Sequence, residues 1–195
     1  LPKTLARCAI IGDDNAALGD VRPNNPDVVL NHLHWHRSYK TDYELAMLRV
    51  ASKLGARAHR AAEAAFRAGK SEYDINTAYL NAVHETENEL PYGNIIALNQ
   101  HAATLHYMDL NRAPPAHAES FLIDAGASFH GYGSDITRTH AAPHAGEFQE
   151  LIAAVDGAQR GFVEKVKSGQ NYADLHVHAH HVLAGILKDR DFIRM

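Results

Sequence analysis

The sequence is poor in the features that mark several large classes of protein. Its 195 residues include one cysteine, Cys8, so no disulfide can close within the chain, which favours a reducing compartment, the cytoplasm. No apolar run reaches the ~18 residues of a transmembrane helix. The 19 basic and 23 acidic residues nearly balance, so the charge does not favour nucleic acid. We therefore expect neither a membrane nor a nucleic acid as partner.

Several short catalytic motifs are also missing. The sequence contains no GxxxxGK, GxSxG, CxxC or HExxH pattern, so a nucleotide-binding loop, a serine hydrolase and a zincin have no local support. The composition is that of an ordinary globular protein, with 46% apolar and 22% charged residues. Histidine is abundant, with 15 residues, and several of these are candidate ligands.

The first half of the chain is predicted to be mainly helical. Residues 6–12 form a short apolar run that predicts a buried strand, and residues 20–30 predict a connector. The alternating histidines of residues 32–36 are typical of a strand with one histidine face. A capping box at Thr41 opens a helix that Gly69 closes, and Ser71 opens a second helix that stops before Pro91.

After Pro91 the periodicity changes from helical to strand-like. Strands are predicted at residues 94–98, 120–125 and 132–141, and two further helices follow, the second after Gly169. The elements come as helices, then strands, then helices, and not as an alternation of single strands and helices. The predicted fold class is therefore α+β.

The stretch from residue 121 to residue 139 carries the strongest chemical pattern. If its turn lies around residues 128–131, Asp124 stands opposite Asp135 in an antiparallel pair, with Cβ atoms ~4.5–5.5 Å apart. Like charges at that distance repel, and one or two divalent metals would compensate them. Thr137 shares the face of Asp135, where its hydroxyl can orient a ligand carboxylate. The alternative is a solvated hairpin with two unpaired aspartates.

This stretch resembles the metal-binding motif of a known family, the pita-bread metallopeptidases, which includes methionine aminopeptidase, aminopeptidase P, creatinase and prolidase. The likeness rests on Asp-x-Gly at residues 124–126 and Ser-Asp-Ile-Thr-Arg-Thr at residues 134–139. Residues 91–107 resemble the family's substrate-side strands, and residues 34–41 its passage from linker to helix. The likeness covers residues 34–188 and is strongest to bacterial prolidases, including those that also cleave organophosphorus esters.

The resemblance implies an incomplete pita-bread fold and a set of roles. In the family, five protein ligands hold two divalent metals, commonly manganese, with zinc or cobalt as alternatives. By match, Asp124 and Asp135 are the first two ligands, and His106 steadies the tetrahedral intermediate without binding metal. Tyr92 and Tyr172 match positions that line the substrate pocket. The implied activity is hydrolysis of Xaa-Pro dipeptides by metal-activated hydroxide, in a homodimer.

The sequence departs from the family pattern at its end. The remaining ligands, a His and two Glu, have no counterparts, because after Asp174 the acidic residues are Asp189 and Asp191. We therefore expect residues 1–36 to be the end of an N-terminal domain with its linker. Residues 37–195 would form the first part of a catalytic domain whose partner is a complementary C-terminal half. Other interpretations are an aminopeptidase P or a creatinase-like enzyme, and a non-catalytic peptide-binding module of the same fold.

The remaining histidines are weaker candidates. His176, His178, His180 and His181 lie on a predicted helix, where pairs at i, i+3 or i, i+4 can bind metal, but a solvated role is favoured because no carboxylate or cysteine stands at ligand spacing. For His106, spacing alone favours a packed core position. The family resemblance instead implies the catalytic role of His106 given above.

Overall fold

The computed structural model describes residues 8–194, and the chain divides into two compact units between Met47 and Leu48. Helices and strands are numbered in chain order. The helices are α1 (Asp27–Ser38), α2 (Asp42–Arg67), α3 (Glu72–Val83), α4 (Gly146–Lys165) and α5 (Tyr172–Lys188). The strands are β1 (Ile95–Leu98), β2 (Ser120–Ala125), β3 (Ser128–Phe129), β4 (Tyr132–Gly133) and β5 (Ile136–Ala141).

The predicted strand at residues 6–12 is wrong where the structure describes it. Residues 8–12 adopt no strand, and residues 6–7 lie outside the described part. The N–H of Ile10 donates to Oδ1 of Asn24 (2.9 Å), and that of Gly12 donates to Oδ1 of Asn25 (3.0 Å). Asparagine side chains thus take the hydrogen bonds that a neighbouring strand would otherwise accept.

The predicted histidine strand at residues 32–36 is also wrong, because these residues belong to α1. This helix begins at Asp27, inside the predicted connector, directly after Pro26. A fixed proline φ and an acidic first turn both favour a helix start, and here they outweigh the two-residue alternation. His32 and His36 consequently lie one turn apart, with ring centroids 4.3 Å from each other. The domain boundary between residues 36 and 37 stays a prediction.

The predicted helix ends are confirmed. Thr41 and Glu44 form the capping box, since the Thr41 N–H donates to Oε2 of Glu44 (2.7 Å) and the Glu44 N–H donates to Oγ1 of Thr41 (3.3 Å). Gly69 ends α2 with a left-handed φ of 71°. Oγ of Ser71 accepts the N–H of Asp74 (3.2 Å) at the start of α3. The glycine at residue 69 and the cap at Ser71 thus separate α2 from α3.

The core of the second unit lies between α2, α3 and one face of an antiparallel sheet with strand order β1-β2-β5. The predicted strands at 94–98 and 120–125 are confirmed as β1 and β2. Alternate residues of β2 are buried, so its two faces differ. The buried cluster contains Ala58, Ala62, Phe66, Ile75, Tyr79, Val83, Ile96, Leu98, Phe121, Ile123, Ala125 and Ala127.

The predicted strand at residues 132–141 is interrupted. It forms β4 and β5, separated by Ser134 and Asp135. The Ala127 N–H donates to the hydroxyl of Ser134 (3.0 Å), while the Ser134 N–H donates to the Ala127 carbonyl (2.9 Å). A side-chain oxygen thus replaces a backbone carbonyl in the ladder, and the regular strand breaks there.

The register of this hairpin corrects the predicted pairing of Asp124 with Asp135. The turn is the two-residue pair His130-Gly131, whose φ values of 49° and 81° are both left-handed, as tight hairpins require. It lies one residue later than the prediction, so Asp124 pairs with Thr137. Because a shift of two residues keeps every side chain on its original face, both aspartates still project from the same side.

Gly126 allows the backbone and an aromatic ring to approach each other beside this register. A Cβ at residue 126 would overlap the Ser134 carbonyl oxygen and lie 2.7 Å from Cγ of Pro91 and 3.0 Å from Cε1 of Tyr92. Gly55 likewise allows α2 to approach the hairpin, because a Cβ at residue 55 would lie 2.6 Å from Oγ of Ser134. Both glycines are therefore needed for close packing around the hairpin.

Helices α4 and α5 pack against each other beyond the sheet. The Phe162 ring contacts the His178 ring edge to face, with centroids 5.4 Å apart, and α4 also contacts β5. None of the residues described in α4 and α5 is fully buried. Within residues 8–194, no helix is both long enough and apolar enough to cross a membrane.

Two histidines of the second unit are held neutral by their surroundings. His59 is 6% exposed, and its Nε2 lies 3.1 Å from the Ala125 carbonyl oxygen. Burial lowers the pKa of His59. Burial also lowers the pKa of His140, although Glu63 opposes the effect. Both side chains are therefore neutral in the folded chain at pH values where an unfolded histidine is already protonated.

We predict that Gly126→Ala lowers the free energy of unfolding by about 1–3 kcal/mol, the usual cost of overpacking. Urea unfolding of the 195-residue chain measures this change. Gly157→Ala is the matched control, because a Cβ at this position of α4 meets no atom within 4 Å. It should leave stability equal or raise it. Equal stability of both variants would refute the close approach at Gly126.

We predict a loss of stability as the pH falls below about 6.5, the pKa of an unfolded histidine. The unfolded state then binds protons that His59 and His140 do not take up when folded, so stability falls until the lowered folded pKa values are passed. Each histidine contributes a slope of at most about 1.4 kcal/mol per pH unit. Urea unfolding across this range measures the slope. His140→Gln should flatten it, and His34→Gln, at an exposed position of α1, should not.

Candidate metal centre

Asp124 and Asp135 converge on a single atom. Oη of Tyr92 lies 2.8 Å from Oδ1 of Asp124 and 2.9 Å from Oδ1 of Asp135. Asp124 is half-buried and lies on the face of β2 away from Phe121 and Ile123, while Asp135 is exposed between β4 and β5. The two predicted metal ligands are thus brought together, although they are not directly opposed across the strands.

The hydroxyl of Tyr92 does not neutralise this pair. A phenol has one proton and donates it to one acceptor at a time, so one of its two contacts lacks a hydrogen at any moment. Burial, followed by the contacts to the two carboxylates, raises the pKa of Tyr92 well above its ordinary value, so the phenol stays protonated. Within the described residues, neither aspartate has a Lys, Arg or His nitrogen within 4 Å.

A hard divalent cation fits this donor set. Each aspartate directs its Oδ1 to the same phenol oxygen. Carboxylate oxygens are the preferred ligands of manganese and similar ions. However, no cluster of three or more His, Cys, Asp or Glu side chains able to hold a metal is found in the described part of the chain. The described residues thus bring together two carboxylates, and the assignment of Asp124 and Asp135 as metal ligands stays a prediction.

Thr137 is the register partner of Asp124. It is exposed on β5, and directly opposed residues have Cβ atoms ~4.5–5.5 Å apart. Thr137 is thus adjacent to Asp124 across the strands, and its predicted role of orienting a ligand carboxylate stays a prediction.

The other two predicted site residues are not brought to the aspartates. His106 lies in an exposed turn with a left-handed φ of 51°, and within residues 8–194 it makes no hydrogen bond to either carboxylate. Tyr172 begins α5 and is 84% exposed. Their predicted roles therefore stay predictions.

The helical histidines form pairs without further ligands. The rings of His176 and His180 lie one turn apart on α5, with centroids 4.4 Å from each other, and Nδ1 of His180 contacts the His176 carbonyl (3.0 Å). In the described residues, no carboxylate or cysteine joins them to make a cluster of three. The solvated role that the sequence favours for these histidines stays a prediction.

Two polar contacts near the site were not predicted from the sequence. Asn94, buried at the start of β1, donates from Nδ2 to Oδ1 of Asn76 (2.9 Å) on α3. The carboxylate of Glu85 accepts the N–H of Ser128 (3.0 Å), which ties the hairpin to the end of α3. These contacts join residues 18 and 43 positions apart, so no local pattern signals them.

Comparisons with known proteins identify the family of this chain. The profile of metallopeptidase family M24 matches residues 46–193. An Xaa-Pro dipeptidase of Stenotrophomonas maltophilia is 56% identical over 195 residues, which are 100% of this chain and 44% of that protein. An Xaa-Pro dipeptidase of Xanthomonas campestris pv. campestris is 58% identical over 189 residues, 97% of this chain and 43% of that protein. The chain thus spans less than half the length of these relatives.

Solved structures show the same fold. Aminopeptidase PepP of Pseudomonas aeruginosa superposes with a TM-score of 0.71 and 26% identity, over 92% of this chain and 41% of that chain. Zinc-substituted Escherichia coli aminopeptidase P in complex with product has a TM-score of 0.70 and 21% identity, over 80% and 36%. The predicted incomplete pita-bread fold is confirmed. The chain belongs to metallopeptidase family M24.

Proposed function

We propose that this chain is the part of an Xaa-Pro dipeptidase that supplies the first two metal ligands and one wall of the substrate site. The observation that carries the proposal is the convergence of Asp124 and Asp135 on the hydroxyl of Tyr92. Two carboxylates held at one point without a cationic side chain are suited to a divalent metal. The name shared by the relatives at 55–58% identity supports the dipeptide substrate.

Each residue of this chain then has a definite task. Asp124 and Asp135 would hold two divalent ions, Mn²⁺ in our proposal, with Zn²⁺ or Co²⁺ as alternatives. Such ions supply a bound water of lowered pKa and polarise the scissile carbonyl. Thr137 orients the Asp124 carboxylate, and Tyr92 donates its one proton to one aspartate and lines the substrate pocket together with Tyr172. His106 donates a hydrogen bond to the developing oxyanion.

The remainder of the ligand set would come from a complementary C-terminal half. The strand order β1-β2-β5 leaves one edge of β1 and one edge of β5 without a strand partner in the described sheet. A cavity of about 780 Å³ lies beside β5 and α4, with Thr139, Phe148 and Ile152 among its lining residues. Open edges and an apolar cavity suit a second half-sheet.

We further propose that the protein is a homodimer and that it is located in the cytoplasm. The location is proposed because the chain has one cysteine.

Aminopeptidase P activity is the second candidate, because the superposed structures are aminopeptidases P. The two activities differ in the length of the preferred substrate, and the dipeptidase is favoured by the higher identity of its relatives. Preference for a longer Gly-Pro-containing peptide over the Gly-Pro dipeptide would favour aminopeptidase P.

The test is a graft of this chain in place of the matching 44% of the Stenotrophomonas maltophilia Xaa-Pro dipeptidase. With manganese present, we predict that the graft hydrolyses Gly-Pro and Leu-Pro, whereas the 195-residue chain alone does not. In the graft, Asp124→Ala or Asp135→Ala should remove both activity and bound manganese, because each deletes a ligand.

Asp189→Ala is the matched control, since Asp189 is an exposed carboxylate at the end of α5. It should leave activity and manganese content unchanged. A double Asp124→Ala, Asp135→Ala variant that keeps its full manganese content by elemental analysis would refute the metal assignment. Turnover by the isolated chain at the rate of the graft would refute the need for a second half.

We predict that His106→Ala in the graft lowers kcat by about 10²–10³-fold, the usual effect of losing an oxyanion donor. Manganese content should stay intact, because His106 is not assigned as a ligand. The matched control is His117→Ala, an exposed histidine in the same connection between β1 and β2. Loss of manganese from His106→Ala would make His106 a ligand, and unchanged kinetics would remove it from the mechanism.

A further inference from the structure

The connection between β1 and β2 carries His106 and is held in an unusual backbone conformation. Asn99 and His106 both have left-handed φ values, 53° and 51°. This region is unfavourable for residues other than glycine, and it persists where surrounding contacts enforce it. Four contacts from residues 98–111 converge on one side chain, Glu72.

The carboxylate of Glu72 accepts four hydrogen bonds from this connection. Its Oε1 accepts the Leu98 N–H (2.9 Å) and contacts Nδ1 of His101 (2.7 Å). Its Oε2 accepts the Tyr107 hydroxyl (2.9 Å) and the Asn111 N–H (3.0 Å). The donors lie 26 to 39 residues after Glu72 in the chain, so one side chain at the start of α3 fixes both ends of residues 98–111.

Glu72 is ionised despite its position. The side chain is 1% exposed, and burial raises the pKa of its carboxyl group, but the hydrogen bonds from His101, Leu98, Asn111 and Tyr107 together lower it below the ordinary value. A buried charge is tolerated only when its acceptor oxygens are satisfied. The four donors and the carboxylate are therefore mutually dependent.

Tyr107, whose hydroxyl is held by Glu72, directly follows His106 in the chain. Its ring stacks on that of His101, with centroids 4.7 Å apart and an interplanar angle of 19°. At the other end of the connection, Asn99 donates to the His117 carbonyl (2.8 Å) and accepts the Glu119 N–H (2.8 Å). The exposed turn at His106 thus lies between two fixed points.

We propose that Glu72 is a positioning residue: its buried carboxylate anchors residues 98–111 and thereby sets the place and backbone conformation of His106. The consequence for catalysis rests on the proposed function of His106. The anchoring itself rests on the four hydrogen bonds alone.

The first test is amide hydrogen exchange by NMR on the 195-residue chain. Glu72→Gln keeps the size of the side chain but replaces one acceptor oxygen by a donor, so it loses hydrogen bonds to this segment. We expect the Leu98 or Asn111 amide to exchange at least about tenfold faster, with the amides of β2 unchanged. The matched control is Glu85→Gln, which alters a half-buried carboxylate that holds the hairpin. Unchanged exchange at both Leu98 and Asn111 would overturn the proposal.

The second test measures kinetics in the graft. Glu72→Gln should lower kcat about tenfold or more while KM and manganese content stay within about twofold.

Tyr107→Phe is the second variant, because it removes one hydrogen bond and keeps the ring stack. It should lower kcat by about threefold or more, and it tests the positioning role if Glu72→Gln does not fold. Full kcat in Tyr107→Phe, where His106→Ala is impaired, would overturn the positioning role. Full kcat in His106→Ala would instead refute the proposed function, and the exchange result would still decide the anchoring.

Discussion

The repulsion between Asp124 and Asp135 is the constraint around which the second unit is built. Two carboxylates that meet at one phenol oxygen raise the free energy of the folded chain unless a cation joins them. The hairpin turn at His130-Gly131 sets the register that brings them to one face, and Gly126 leaves the space in which Tyr92 reaches both. The fold holds the charges together by backbone geometry.

A second group of charges and polar atoms supports that geometry from inside. His59 contacts the Ala125 carbonyl, Asn94 is tied to α3, and Glu72 anchors residues 98–111. His59 lies on α2 and Glu72 on α3, while Asn94 binds to α3. These two helices also form the core. Since buried polar groups are costly unless paired, each of them restricts the backbone to one arrangement. The packing of the helices and the shape of the candidate metal centre are thus set by the same contacts.

The sequence alone predicts the elements whose signals are local. The caps at Thr41 and Ser71, the strands β1 and β2, and the shared face of the two aspartates all follow from spacings of a few residues. The error at residues 32–36 arose because alternation within five residues also fits a helix whose i, i+4 neighbours are histidines. The register error of two residues arose because the turn is selected by φ values that the sequence only suggests.

The role of Glu72 illustrates what local patterns cannot give. In the sequence it is an acidic residue in the first turn of a helix, where the helix dipole already accounts for it. Its four donors lie 26 to 39 residues away and become visible only when β1 packs against α3. Such a residue joins a core element to an exposed segment. In our proposal stability and function depend on the same carboxylate, because the burial that makes the charge of Glu72 costly also makes its four hydrogen bonds to residues 98–111 indispensable.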